Sequence, residues 1–152
     1  MIEYENPNCV ETHATFRVTG DQLDPAAVTR MLGIEPSFGR RKGDVYGGPT
    51  RPIKSPTGVW ALESAAAVSS RILDDHLRYL LGRVGEPTPT FGRYIGEHGL
   101  KMDLFCFWMS ATGQGGPAVS SEILKQIVKL GAALDFDIYF ADEDDEEKEP
   151  PR

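Results

Sequence analysis

Residues 13–36 read "HATFRVTGDQLDPAAVTRMLGIEP", and this stretch decides the fold class. Its opening alternates: Ala14, Phe16 and Val18 share one face, while His13, Thr15, Arg17 and Thr19 share the other. Alternation at period two marks a strand with one buried face. A helix then begins with unusually full punctuation. Asp24 stands at the N-cap, Pro25 at the first helical position and Gly33 at the left-handed C-terminal position. Leu23 and Val28 can close a hydrophobic staple, Val28, Met31 and Leu32 form the apolar stripe, and Pro36 blocks continuation. A half-buried strand feeding an amphipathic helix predicts a sheet with helices packed on it.

The rest of the chain extends that pattern. "GVWALES" (58–64) predicts a second strand, with Trp60 and Leu62 on one face. A helix capped by Ser69 or Ser70 runs to about Arg83, burying Leu73, Leu77, Leu80, Leu81 and Val84, with Asp74 placed four residues before Arg78. "LKMDLFCFWMS" (100–110) is apolar on both faces, which suits a central strand covered on both sides or plugged at one end by a loop. "SSEILKQIVKLG" (120–131) predicts a third helix, from a Ser120 cap to Gly131. "ALDFDIYF" (133–140) closes the series, with Leu134, Phe136, Ile138 and Phe140 inward and Asp135, Asp137 and Tyr139 outward. Residues 37–57, with four glycines and three prolines, predict a long exposed loop with a short strand near Asp44–Tyr46. Residues 85–99 form a connector with one short helical turn. The order β-α-β-β-α-β-α-β predicts an α+β domain with a mixed or antiparallel sheet, three helices and a ferredoxin-like β-α-β-β-α-β core plus an added α-β unit.

A chain of 152 residues is the size of one domain. No apolar run approaches the ~20 residues of a membrane span, and the acidic, polar start is unlike a signal or transit peptide. A cytoplasmic protein is the expectation. Cys9 and Cys106 are too few and too far apart for a disulfide framework or zinc site. The net charge of -7 is unevenly placed: "DEDDEEKE" (142–149) carries -6, and residues 1–141 only -2. The expected organisation is a single domain over 1–141 and a disordered acidic tail over 142–152.

The quoted stretch, with "SFGRRKGD" after it, "TGVWALES" and "GGPAVSSEILKQIVKLGAALDFDIY" resemble a bacterial family known only as domain of unknown function 4279, over residues 14–140. The resemblance implies one small bacterial cytoplasmic domain and carries no activity, cofactor or substrate. Some families of this kind travel with toxin and immunity genes.

Few residues carry recognisable chemistry. Gly113, Gly115 and Ala118 satisfy a G-x-G-x-x-A pattern, but Pro117 and the Ser120 cap start the helix too late for dinucleotide binding. Asp135 and Asp137 lack the further ligands of a calcium loop, because Tyr139 and Phe140 occupy the fifth and sixth positions. No cofactor or metal is expected. Were the first and last strands neighbours, His13 and Arg17 would face Asp135 and Asp137, an arrangement suited to ion pairing or to acid–base chemistry. The loop holds Arg40, Arg41, Lys42, Arg51 and Lys54 against Asp44 alone, with Phe38 and Tyr46 beside them. A single basic loop on an acidic chain falls short of the broad basic face of a nucleic-acid binder, so nucleic acid is not the expected partner. The expectation is a non-enzymatic binding protein, of immunity or regulatory type, that takes an acidic protein or small anion on residues 38–54. The alternative is an enzyme built on His13, Arg17, Asp135 and Asp137. A homo-oligomer through the solvent-facing sheet is a further expectation.

Overall fold

The computed structural model describes residues 7–141; the acidic tail lies outside them. Seven strands and four helices follow in the order β1 (Cys9–Gly20), α1 (Pro25–Leu32), β2 (Phe38–Arg40), β3 (Val45–Tyr46), β4 (Ile53–Lys54), β5 (Gly58–Glu63), α2 (Leu73–Val84), α3 (Pro89–Glu97), β6 (Lys101–Ser110), α4 (Ser121–Leu130) and β7 (Ala133–Phe140). The main sheet has the order β2-β5-β1-β6-β7; β3 and β4 form a separate hairpin. Every neighbouring pair in the main sheet is antiparallel except β6 and β7, which run parallel through the α4 crossover. The fold is therefore α+β around a mixed sheet.

Local chemistry sets the helix limits. The Asp24 carboxylate accepts from the Ala26 N–H, and Gly33 closes α1 in the left-handed region at φ 69°. Ser120 accepts from the Ile123 N–H at the start of α4, and Gly131 ends it at φ 80°. The second helix starts later than the serines suggested. Ser70 accepts from the Ile72 N–H and donates to Asp75, so it fastens the approach to α2 instead of occupying its N-cap position. The connector holds a full fourth helix, α3, capped by Thr88 and anchored by the buried Phe91.

All four helices pack on one face of the sheet. Val28, Leu77, Leu80, Phe91, Ile123 and Ile127 join Phe16, Val18, Trp60, Leu62, Leu104 and Cys106 in one core. The Trp60 indole N–H donates to Thr29 Oγ1 at 3.0 Å, which ties α1 to β5. The opposite face carries no helix. β6 is therefore covered on one side only, and Phe105, Phe107 and Met109 are half-buried among their neighbours on the open side. The last strand also departs from expectation. Leu134 packs against the core, but Phe136, Ile138 and Phe140 are 43%, 42% and 55% exposed. β7 is the sheet edge, and the cover given by α4 stops at its first residues.

Residues 37–57 are better ordered than a loop. β2 adds a short edge strand to the main sheet, with Phe38 opposite Ala61 and Arg40 opposite Val59, and the hairpin projects beyond it.

Candidate functional site

Strand register places His13, Arg17, Asp135 and Asp137 on the helix-free face, with Phe38 of the loop site in the same row as Arg17. Side chains opposite one another across strands share a face. One row of the open face runs Phe38, Ala61, Arg17, Asp103 and Ala133, and the row beside it includes Thr15, Phe105 and Asp135. The next holds His13, Phe107 and Asp137, followed by Glu11, Met109 and Tyr139.

The first and last strands are not neighbours, because β6 lies between them. Arg17 therefore pairs with Asp103, at 2.8 Å from Nε to Oδ1 and 2.5 Å from its terminal nitrogen to Oδ2. This two-pronged bond raises the Arg17 pKa; burial opposes it, and the charges of Asp103 and Asp135 add to it. Burial pushes Asp103 up, but bonds to Arg17 and Asp135, with the Arg17 charge, hold it below the usual carboxylate range. Asp135 moves the other way: its bond to Asp103, some desolvation and the Asp103 charge raise it, against Arg17. Asp103 was missed in the sequence reading because it sits inside an apolar strand. Its alternation with Phe105 and Phe107 was the available signal.

The same face carries a run of rings. The Arg17 guanidinium lies 4.2 Å from the Phe105 ring centre. His13 stacks on Phe107 with centroids 4.7 Å apart and planes inclined by 7°, and Tyr139 meets the far side of the run at 5.3 Å from Phe107. A hollow of about 190 Å³ reaches His13, but its other walls are Val10, Glu11, Thr12, Ala65, Val68, Ser69, Ser70 and Arg71.

The basic residues divide into three kinds. Arg41 bonds Asp24 at 2.7 Å and Lys42 bonds Asp21 at 2.8 Å, so both fasten residues 41–42 to the β1–α1 turn. Bonds from Lys42 and Thr57, and the Lys42 charge, hold Asp21 below its ordinary pKa. Arg40 lies between rings, 4.6 Å from the Phe38 centre and 3.8 Å from that of Tyr46. Its buried Nε has no hydrogen-bond partner among the described residues. Arg51 and Lys54 are exposed on the hairpin.

One Ser–His pair exists, and it is closed. The His76 Nε2–H donates to the Ser70 carbonyl at 2.6 Å, so Nδ1 accepts from Ser64 Oγ at 2.8 Å, and Ser64 in turn accepts from the Ala14 N–H. Both side chains are buried, with Ser64 at 0% and His76 at 1% exposure. Burial lowers the His76 pKa, with the His13 charge, against the Ser70 carbonyl and Asp75. This is a satisfied core histidine. Among the described residues no three His, Cys, Asp or Glu side chains gather as a metal site, and no helix is long and apolar enough to cross a membrane.

The family model described as "Domain of unknown function (DUF4279)" matches residues 10–141, and the chain belongs to that family. No curated protein and no solved structure matches it.

Proposed function

We propose that this member of the DUF4279 family is a non-enzymatic binding protein whose recognition surface is the helix-free face of its sheet. The observation that carries this reading is the open-face run of half-buried His13 and Phe107 and exposed Tyr139 beside the Arg17–Phe105 stack. Rings on an open face give a partner apolar area at little entropic cost, because each ring is already held by its neighbours. The two-pronged Arg17–Asp103 bond, which already occupies the guanidinium, supports binding over catalysis. Asp135 and Asp137 at the β7 end fit a protein partner that brings basic side chains to that end.

The 38–54 loop is the second reading, as a site for an acidic protein or small anion. It rests on Arg51 and Lys54, since Arg41 and Lys42 already hold Asp24 and Asp21. A bacterial, cytoplasmic, immunity-type or regulatory role fits either surface. We also read the order β2-β5-β1-β6, with α1 and α2 in their crossovers, as a ferredoxin-like core to which α4 and β7 are added.

A photo-crosslinking residue at position 107 or 139, compared with one at position 51 or 54, tests these surfaces in the native host. The open-face reading expects one specific adduct from 107 and 139, lost on Phe105→Ala. An adduct from 51 and 54 alone, lost in Arg51→Ala/Lys54→Ala, selects the loop. Turnover of a substrate abolished by Asp103→Asn or Asp135→Asn would remove the non-enzymatic reading.

A further inference from the structure

The exposed apolar side chains are concentrated at one margin of the molecule. Of the nine large apolar residues exposed among the described residues, six lie on α4 and β7: Leu124, Val128, Phe136, Ile138, Tyr139 and Phe140. Leu124 and Val128 stand one turn apart on α4, on the flank opposite Gln126, which borders α2 across a shallow groove. They therefore flank the β7 edge. Among the described residues no strand pairs with the outer side of the eight-residue β7, which has no proline or lysine and no bulge in its register with β6. Monomeric sheets blunt such edges, because they template pairing with another chain. Apolar residues gathered along an open edge mark an interaction surface.

The sequence of this edge is complementary to itself. Antiparallel pairing about a two-fold axis at Ile138 sets Ile138 against Ile138 of a second copy and Phe136 against Phe140, all on the helix side of the sheet. On the open side the same register sets Asp137 against Tyr139, a carboxylate beside a phenol O–H. Moving the axis by one residue to Asp137 would oppose two carboxylates, and cross-strand like charges are unfavourable. Moving it to Tyr139 would pair only Ile138 with Phe140 and Tyr139 with itself within β7. The Ile138 register engages more of the strand and opposes no like charges within it.

We propose that β7 pairs antiparallel with β7 of a second copy of this chain, centred on Ile138, to form a two-fold dimer with one continuous ten-stranded sheet. Leu124 and Val128 of each copy extend the contact beside the paired strands. The resulting open face joins two of the aromatic surfaces side by side. The dimer is tested separately from the binding role through Ile138 and Val128, which lie outside the ring run, although the pairing also engages Asp137 and Tyr139 of the open face.

Sedimentation equilibrium of the full chain from micromolar to millimolar concentration tests this. The expected species has twice the 16.7 kDa chain mass. Ile138→Lys, which puts two like charges on the axis in place of an apolar pair, should raise the dimer dissociation constant at least about a hundredfold. Val128→Lys, 77% exposed and remote from the core, is the second disrupting variant and should weaken the dimer without altering the circular dichroism spectrum. Ile138→Cys should cross-link to itself under mild oxidation, while Phe136→Cys should cross-link only when mixed with Phe140→Cys. A chain that stays at the single-chain mass of 16.7 kDa at every concentration overturns the proposal, whether the edge is bare or covered by a terminal segment of the same chain. A dimer that persists in both lysine variants, or that fails to cross-link through position 138, overturns it equally.

Discussion

Gly58 and Gly82 offer the same substitution with opposite expected outcomes. Gly58 opens β5 and lies opposite Gly20 at the end of the β1–β5 ladder. A Cβ built there would stand 2.6 Å from the Gly20 carbonyl oxygen and 2.7 Å from Leu23 Cβ, where ordinary contact begins at 3.4 Å. Relief requires the β1–α1 turn to lift away from the sheet, and Leu23 is a core residue in that turn. Overpacking of this kind costs about 1–3 kcal/mol. The end of a ladder can open more readily than its middle, which keeps the cost within that range. For a domain of this size each kcal/mol moves the midpoint by about 2–4 °C, so Gly58→Ala should lower Tm by about 2–12 °C. Gly82 lies exposed in α2 with nothing within 4 Å of its Cβ position. Alanine there removes only the entropic disadvantage of glycine, so Gly82→Ala should stabilise by about 0.5–1 kcal/mol. Urea denaturation followed by circular dichroism measures both. A Gly58→Ala protein at least as stable as the parent would refute the close-packed turn.

Three further outcomes are expected. Because the folded state holds the His76 pKa below its ordinary value of 6.5, the unfolded chain binds the extra proton more readily. Stability should therefore be full above that value and fall as pH drops through and below it. Denaturation midpoints between pH 8 and pH 5 measure this, and His76→Leu, though destabilised at neutral pH, should lose that part of the slope. Asp103→Asn leaves Arg17 without its charged partner and should cost about 1–3 kcal/mol by urea denaturation, whereas the exposed pair partner Lys42→Ala should cost less than about 1 kcal/mol. Burial pushes the Cys106 thiol up to about 12, and Cys9 is also buried, so a thiol reagent should label neither in the folded protein and both after unfolding.

The parts of the fold that were legible in the sequence are those determined within a few residues. The Asp24-Pro25 start and Gly33 stop of α1, and the Ser120 and Gly131 limits of α4, are local hydrogen-bonding facts. Thr88-Pro89 is a start signal of the same kind, but Gly92 and Gly96 dilute the helical pattern that follows it. What could not be read locally was strand order. Alternation in β7 says that Phe136, Ile138 and Phe140 share a face, but whether a helix covers that face depends on where the strand docks. The same ignorance put Arg17 opposite Asp135, when the insertion of β6 gives it Asp103 instead. His76 is buried although two acids, Asp74 and Asp75, precede it in the sequence. Both acids have partners: Asp74 accepts from the Ser120 N–H, and Asp75 takes the Ser70 hydroxyl.

The two edges of the main sheet make the meaning of the basic loop clearer. At one edge β2 is three residues long and lies against Pro25, so near that a Cβ on Gly39 would meet the proline at 3.0 Å. Arg41 and Lys42 then turn back to Asp24 and Asp21, and Arg40 is clasped by Phe38 and Tyr46. Shortness, cationic side chains and a covering hairpin are the usual defences of an edge against pairing with another chain. Two of the five basic residues are thereby accounted for without a ligand: Arg41 and Lys42 fasten the segment before the hairpin to the β1–α1 turn, while Arg51 and Lys54 stay exposed. At the other edge none of these devices is present. β7 is eight residues long, its alternate side chains are large and apolar, and neither lysine nor proline interrupts it. Among the described residues β2 is guarded and β7 is not, which is the asymmetry behind the proposed pairing through β7. The asymmetry between the edges, more than the exposure of any one residue, directs the search for a partner to that strand.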